Sequence, residues 1–124
     1  MTHASLAYDD LAALNLRLHR LRHLSSIAGW DQAANMPPKG NDARAAALAE
    51  LAGLMHRLRT DPSLRDQIER ARQEDLDDFQ RANLRETERE WRQANALPAT
   101  LVERRQMATS RCEHAWRRQR PAND

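Results

Sequence analysis

The chain has 124 residues and a mass of 14.3 kDa, the size of one ordinary domain, so a single helical domain over residues 1–124 is expected. Hydrophobic residues make up 40% and charged residues 31%, with three glycines and five prolines, which argues against a β-rich or disordered protein. The formal charge is +2 and the pI near 9.3, but no apolar run approaches the ~20 residues needed to cross a bilayer, which excludes a helical membrane span. No secretory pattern opens the chain, because Asp9 and Asp10 interrupt any apolar block, so a cytoplasmic setting is expected. Cys112 is alone, which rules out an intrachain disulfide and a cysteine metal cluster. Lys39 is the sole lysine. The arginines alternate with acids, as Arg85, Arg89 and Arg92 do with Glu86, Glu88 and Glu90. That pattern suits solvated helix faces better than a cationic strip for nucleic acid.

From about Ser5 to Ala28, the residues Leu11, Leu14, Leu18, Leu21 and Ala28 recur at three- and four-residue steps, with Leu24 and Ile27 widening the stripe. This predicts an amphipathic helix. Gly29 is read as its stop, and Gly29 to Gly40 as a linker in which Pro37 and Pro38 remove backbone donors and bar helical geometry before each ring. Trp30 is expected to fill a gap between the first two helices, and Asp31 to satisfy backbone donors in the turn. The alternative is that the linker presents the indole and the carboxylate to a partner surface or groove.

Asn41 or Asp42 then caps a second helix with an apolar face of Leu48, Leu51, Met55 and Leu58. Thr60-Asp61-Pro62 places a capping oxygen before a proline and opens a short third helix through about Gln73. A fourth runs from about Leu76 to Ala96 with Phe79, Leu84 and Trp91 as its larger apolar side chains. After Pro98 a fifth carries Leu101, Ala108, Cys112 and Ala115 at helical spacing, with Trp116 beside them. No period-2 strand pattern is present. The expected fold class is all-α, about five helices in antiparallel hairpins or a bundle.

His19 and His23 lie one helical turn apart, the spacing two metal ligands on one helix would need, but Arg17, Arg20 and Arg22 surround them and oppose a cation. His3 is terminal, His56 adjoins Arg57, and His114 shares a turn with Arg111, Arg117 and Arg118. Asp75, Asp77 and Asp78 stand where acids complement a helix N-terminus, so capping is their expected role. Cys112, on an apolar stripe, is expected to be a buried thiol rather than a nucleophile. No Gly-rich phosphate loop, nucleophile elbow or H-E-x-x-H occurs. No catalytic, cofactor-binding or metal-binding residue is assigned. The candidate set is the linker itself, structural or partner-facing: Trp30, Asp31, Gln32, Met36, Pro37 and Pro38.

Gly29-Trp30-Asp31-Gln32, then Met36-Pro37-Pro38 with Gly40, then Ala43-Arg44, resembles the N-terminal region of the thermostable-carboxypeptidase family, the M32 metallocarboxypeptidases. The likeness continues in order through Arg81-Ala82-Asn83-Leu84-Arg85-Glu86, Ala96-Leu97-Pro98-Ala99, Leu101-Val102, Ala108-Thr109-Ser110-Arg111 and His114-Ala115-Trp116. The resemblance implies an almost wholly helical zinc enzyme that removes residues from peptide C-termini and is commonly a homodimer. Members are several-fold longer, and their zinc is held by an H-E-x-x-H helix and a downstream glutamate beyond the region matched here. No metal-binding or catalytic residue carries over, no cofactor is expected in this chain, and the chain alone is expected to be inactive. In the family the N-terminal helices form a wall or lid beside the substrate groove. Helices shaped to lie on a larger body keep an apolar face, so self-association or docking to the missing catalytic part is expected. The alternative function is a stand-alone helical interaction or self-association protein.

Overall fold

The structure, a computed structural model, describes residues 6–123; His3 and the expected helix start at Ser5 lie outside them. The described residues form α1 (Ala7–Ala34), α2 (Asn41–Arg59), α3 (Ser63–Ala71), α4 (Asp78–Asn95) and α5 (Ala99–Ala122), with a short 3-10 turn at Pro38–Gly40 and no strand. The all-α expectation holds. Two packing groups follow: α2 lies chiefly along α5, while α1 lies against α3 and α2, with α4 closing over α1, α2 and α3.

The first correction concerns α1, which does not stop at Gly29 but continues through Trp30, Asp31 and Gln32 to Ala34. An interior glycine costs about 1 kcal/mol relative to alanine, less than the added helical turn and its contacts return. The prolines set the true end. The Asp31 carbonyl accepts from the amides of both Asn35 (2.9 Å) and Met36 (2.8 Å), and Pro37 cannot extend the ladder. At the other end α1 has no capping side chain of its own, and Glu74 supplies one from far along the chain. Its carboxylate accepts from the amides of Ala7 (2.6 Å) and Tyr8 (3.2 Å), placing negative charge at the positive end of the helix.

Asn41 does not cap α2 by its side chain; it is the first helical residue and is buried, with Gly40 at the cap. Leu48 is buried as expected, but Leu51, Met55 and Leu58 are only half-buried. The face toward the core is instead Ala45, Leu48, Ala49, Gly53 and His56. Small side chains there let α5 come close: a Cβ on Gly53 would run into the Glu103 carboxylate. α3 opens through Asp61, whose Oδ1 accepts from the Ser63 amide (2.9 Å) and hydroxyl (2.7 Å). Those two bonds hold the Asp61 carboxyl below its usual range. At α4 the capping expectation holds for Asp77: its carboxylate accepts from the Gln80 amide (2.8 Å), while the Gln80 side chain accepts from the Asp77 amide (3.0 Å).

The core joins Ala7 and Leu11 of α1 to Leu64, Ile68 and Ala71 of α3, and to Leu76 and Leu84, with Tyr8, Leu14 and Trp91 packed around it. Phe79 takes no part, being 75% exposed. α5 differs most from expectation. Its buried residue is Ser110, whereas Leu101, Cys112 and Trp116 face outward. Cys112 is therefore an exposed thiol, not a buried one, because α5 meets α2 through the opposite side of the helix.

Candidate functional site

The candidate linker becomes a joint between the end of α1 and the start of α2. Arg44, on the first turns of α2, reaches back to α1 with both arms of its guanidinium: Nη1 donates to the Ala28 carbonyl (2.7 Å) and Nη2 to Asp31 Oδ2 (2.7 Å). The pair is partly sheltered, with 27% of the Arg44 side chain and 36% of the Asp31 side chain exposed. Asp31 thus pairs with a cation across the joint rather than satisfying turn amides through its carboxylate.

Gln32 and Met36 are buried on the inner side of the joint. The Gln32 carbonyl accepts from the Arg117 guanidinium, which brings α5 to the same point, while its Nε2 has no hydrogen-bond partner in the protein. Met36 lies against Gly40, where an added Cβ would stand 3.2 Å from its Cγ. Pro37 and Pro38 are exposed. Trp30 does not fill the gap between the helices: it is 65% exposed and points away from the joint. The reason is angular, since Asp31 and Gln32 take the positions facing α2 and α5, and a residue one step earlier is turned about 100° away.

A second concave feature escaped the sequence reading. Between α1 and α4 lies a cleft of about 310 Å³ lined by Tyr8, Asn15, His19, Arg22, Asn83, Glu86, Thr87 and Glu90. Two polar rungs tie its walls: Asn15 Nδ2 donates to Thr87 Oγ1 (2.9 Å) and Asn83 Nδ2 to Tyr8 Oη (3.3 Å). The signal was present, because Asn15 falls one turn after Leu11 on the apolar face. Nearby, burial first and Arg22 second depress the affinity of Arg59 for its proton, against the pull of Glu90.

His19 and His23 are both exposed, and among the described residues no three His, Cys, Asp or Glu side chains converge to hold a metal. The described residues therefore bring together no donor set of the kind zinc needs. What the joint provides is orientation: an ion pair, a buried amide and a methionine fix how α1, α2 and α5 meet.

The sequence profile described as carboxypeptidase Taq (M32) metallopeptidase matches residues 10–124. The chain belongs to the M32 family. It is 33% identical over 122 residues to thermostable carboxypeptidase 1 of Thermus thermophilus, a match covering 95% of this chain and 24% of that protein. To thermostable carboxypeptidase 1 of Pyrococcus furiosus it is 31% identical over 109 residues, 87% of this chain and 22% of that one. Metallocarboxypeptidase 1 of Trypanosoma cruzi superposes with a TM-score of 0.73 at 45% identity, over 79% of this chain and 21% of its own. This M32 chain therefore spans about a quarter of the length of the curated relatives it matches. None of its helices is long and apolar enough, among the described residues, to cross a membrane.

Proposed function

We propose that this chain is the N-terminal helical portion, a lid or groove wall, of an M32 zinc metallocarboxypeptidase that releases C-terminal amino acids from peptides, and that by itself it does not hydrolyse them. The observation that carries the reading is the family match over residues 10–124 joined to coverage of only 21–24% of the relatives. The joint of Asp31, Arg44 and Gln32 supports a role in setting helix angles, the property a wall beside a groove needs. No step through zinc is assigned to these residues, since they offer no three-donor site. A cytoplasmic setting belongs to this reading, supported by the single cysteine.

The test is direct. The purified chain with zinc is incubated with an N-blocked dipeptide and free amino acid is measured; no release above buffer is expected. Release would refute the inactivity, and a stop codon straight after Asp124 in the gene would count against the lid role. A second reading, self-association without enzymatic activity, is favoured by Leu16, Leu24, Ile27 and Trp30, all about half exposed or more on the face of α1 opposite Leu11 and Leu18. A concentration-dependent mass in sedimentation equilibrium, lost on Ile27→Asp, would support it.

A further inference from the structure

Among the described residues four buried side-chain polar atoms have no hydrogen-bond partner in the protein: Gln32 Nε2, Asn41 Oδ1, Ser110 Oγ and Arg59 Nε. The first three come from the three helices that meet at the joint, α1, α2 and α5, and their residues are only 2%, 6% and 1% exposed. The register of the helices brings them to one region. Glu103 lies over Gly53 late in α2, while Arg117 reaches the Gln32 carbonyl beside the start of α2, so α2 and α5 run antiparallel. Stepping back from Gly53 to Asn41 covers about 18 Å, which on α5 leads from Glu103 to about residue 115, between Ser110 and Arg117. A buried donor or acceptor left unpaired costs more than a typical hydrogen bond contributes, and folded proteins satisfy such groups with protein atoms or internal water.

We infer that the joint is a site for internal water, which accepts from Gln32 Nε2, donates to Asn41 Oδ1 and extends to the Ser110 hydroxyl. The chemistry of the partners names the occupant. A donor, an acceptor and a hydroxyl suit a small neutral molecule that both donates and accepts. The Arg117 guanidinium and the Gln32 N–H oppose a cation, and the Asn41 side-chain oxygen opposes an anion. Turning either amide over exchanges a donor for an acceptor and leaves the same buried position without a protein partner, and water serves both. Neither a second copy nor a longer chain can take its place, because these atoms lie beneath this chain's own helices. The face of α2 turned to α5 is Ala45, Ala49 and Gly53, whose side chains carry no polar group to Ser110. The inference concerns the joint alone and stands whichever way the peptidase assay reads.

The test uses the whole chain, isotope-labelled for NMR. Water–protein cross-relaxation should show water residing longer than molecular tumbling at the Gln32 and Asn41 side-chain amides. Oxygen-17 relaxation dispersion, which sees water and not the serine hydroxyl, should lose the share of about one long-lived water in Gln32→Met. That substitution keeps side-chain length, helix propensity and the backbone carbonyl that holds Arg117, so it isolates the amide. Its urea midpoint should fall, because the water loses a partner; an amide with no partner at all predicts a rise, since removing it relieves an unmet donor. Only short-lived water at Gln32, a raised midpoint, or a direct cross-peak between the Gln32 and Asn41 side-chain amides would each overturn the inference. The wild-type cross-relaxation decides alone should the variant not fold.

Discussion

Replacing Trp30 and replacing Arg44 separate two ideas of what holds α1 to α2. If the indole were the anchor, Trp30→Ala would cost about 3–5 kcal/mol, the range for a buried tryptophan. At 65% exposure it should instead fall within about 0.5 kcal/mol of wild type. Arg44→Ala removes a hydrogen bond to the Ala28 carbonyl and the ion pair to Asp31, both at 2.7 Å. Exposed pairs contribute about 0.2–1 kcal/mol and hydrogen bonds to charged groups about 1.5–3. With the two side chains still 27% and 36% exposed, the two contributions together should lie near the low end of their summed ranges, about 2 kcal/mol. Asp31→Ala keeps the carbonyl contact and should lose only about 1 kcal/mol, leaving a coupling of about 1 kcal/mol in the double-mutant cycle. Urea unfolding followed by circular dichroism reads these differences as midpoint shifts of about 1 M for Arg44→Ala. A larger loss for Trp30→Ala than for Arg44→Ala would refute the assignment of the joint.

Glu74→Ala should expose the amides of Ala7 and Tyr8 to faster hydrogen exchange and cost about 1 kcal/mol, because the carboxylate caps α1 from 67 residues away. Leu11→Ala should cost about 2–5 kcal/mol by calorimetry, since Leu11 is 2% exposed within the α1–α3 core. Hydrogen bonding from Arg72 holds the Glu88 carboxyl below its ordinary value of 4.5. The unfolded chain therefore binds that proton more tightly, and the stabilisation is present above the ordinary value and lost as pH falls through the folded one. Glu88→Gln should flatten the acid limb of a stability–pH curve measured from neutrality to below that value.

Helix number and several punctuation marks were legible in the residues because their causes are local. Asp77 and Gln80 form a capping box within one turn and Asp61 caps α3 from two residues away, whereas Gly29 does not stop α1, which runs on until Pro37 denies the next donor. Of the candidate set, Gln32 and Met36 are buried at the joint, whereas Trp30, Pro37 and Pro38 are exposed. The partner that defines the joint, Arg44, was visible only as part of a family motif. Its role depends on α2 folding back beside α1, which no spacing along one helix encodes.

Local chemistry and periodicity were enough to determine that this chain is helical, where most helices begin, and which family it resembles. Which face each helix turns inward was decided by tertiary structure. α5 carries apolar residues on two sides, and its pattern selects Leu101, Ala108 and Cys112 as the inner face, yet the helix turns Ser110 inward. Side-chain burial depends on which surface is available to receive it. On α2 that surface is the alanine and glycine face of Ala45, Ala49 and Gly53, shaped for close approach. The same reason carried α1 past Gly29: one glycine costs less than the contacts that only a neighbouring helix could supply.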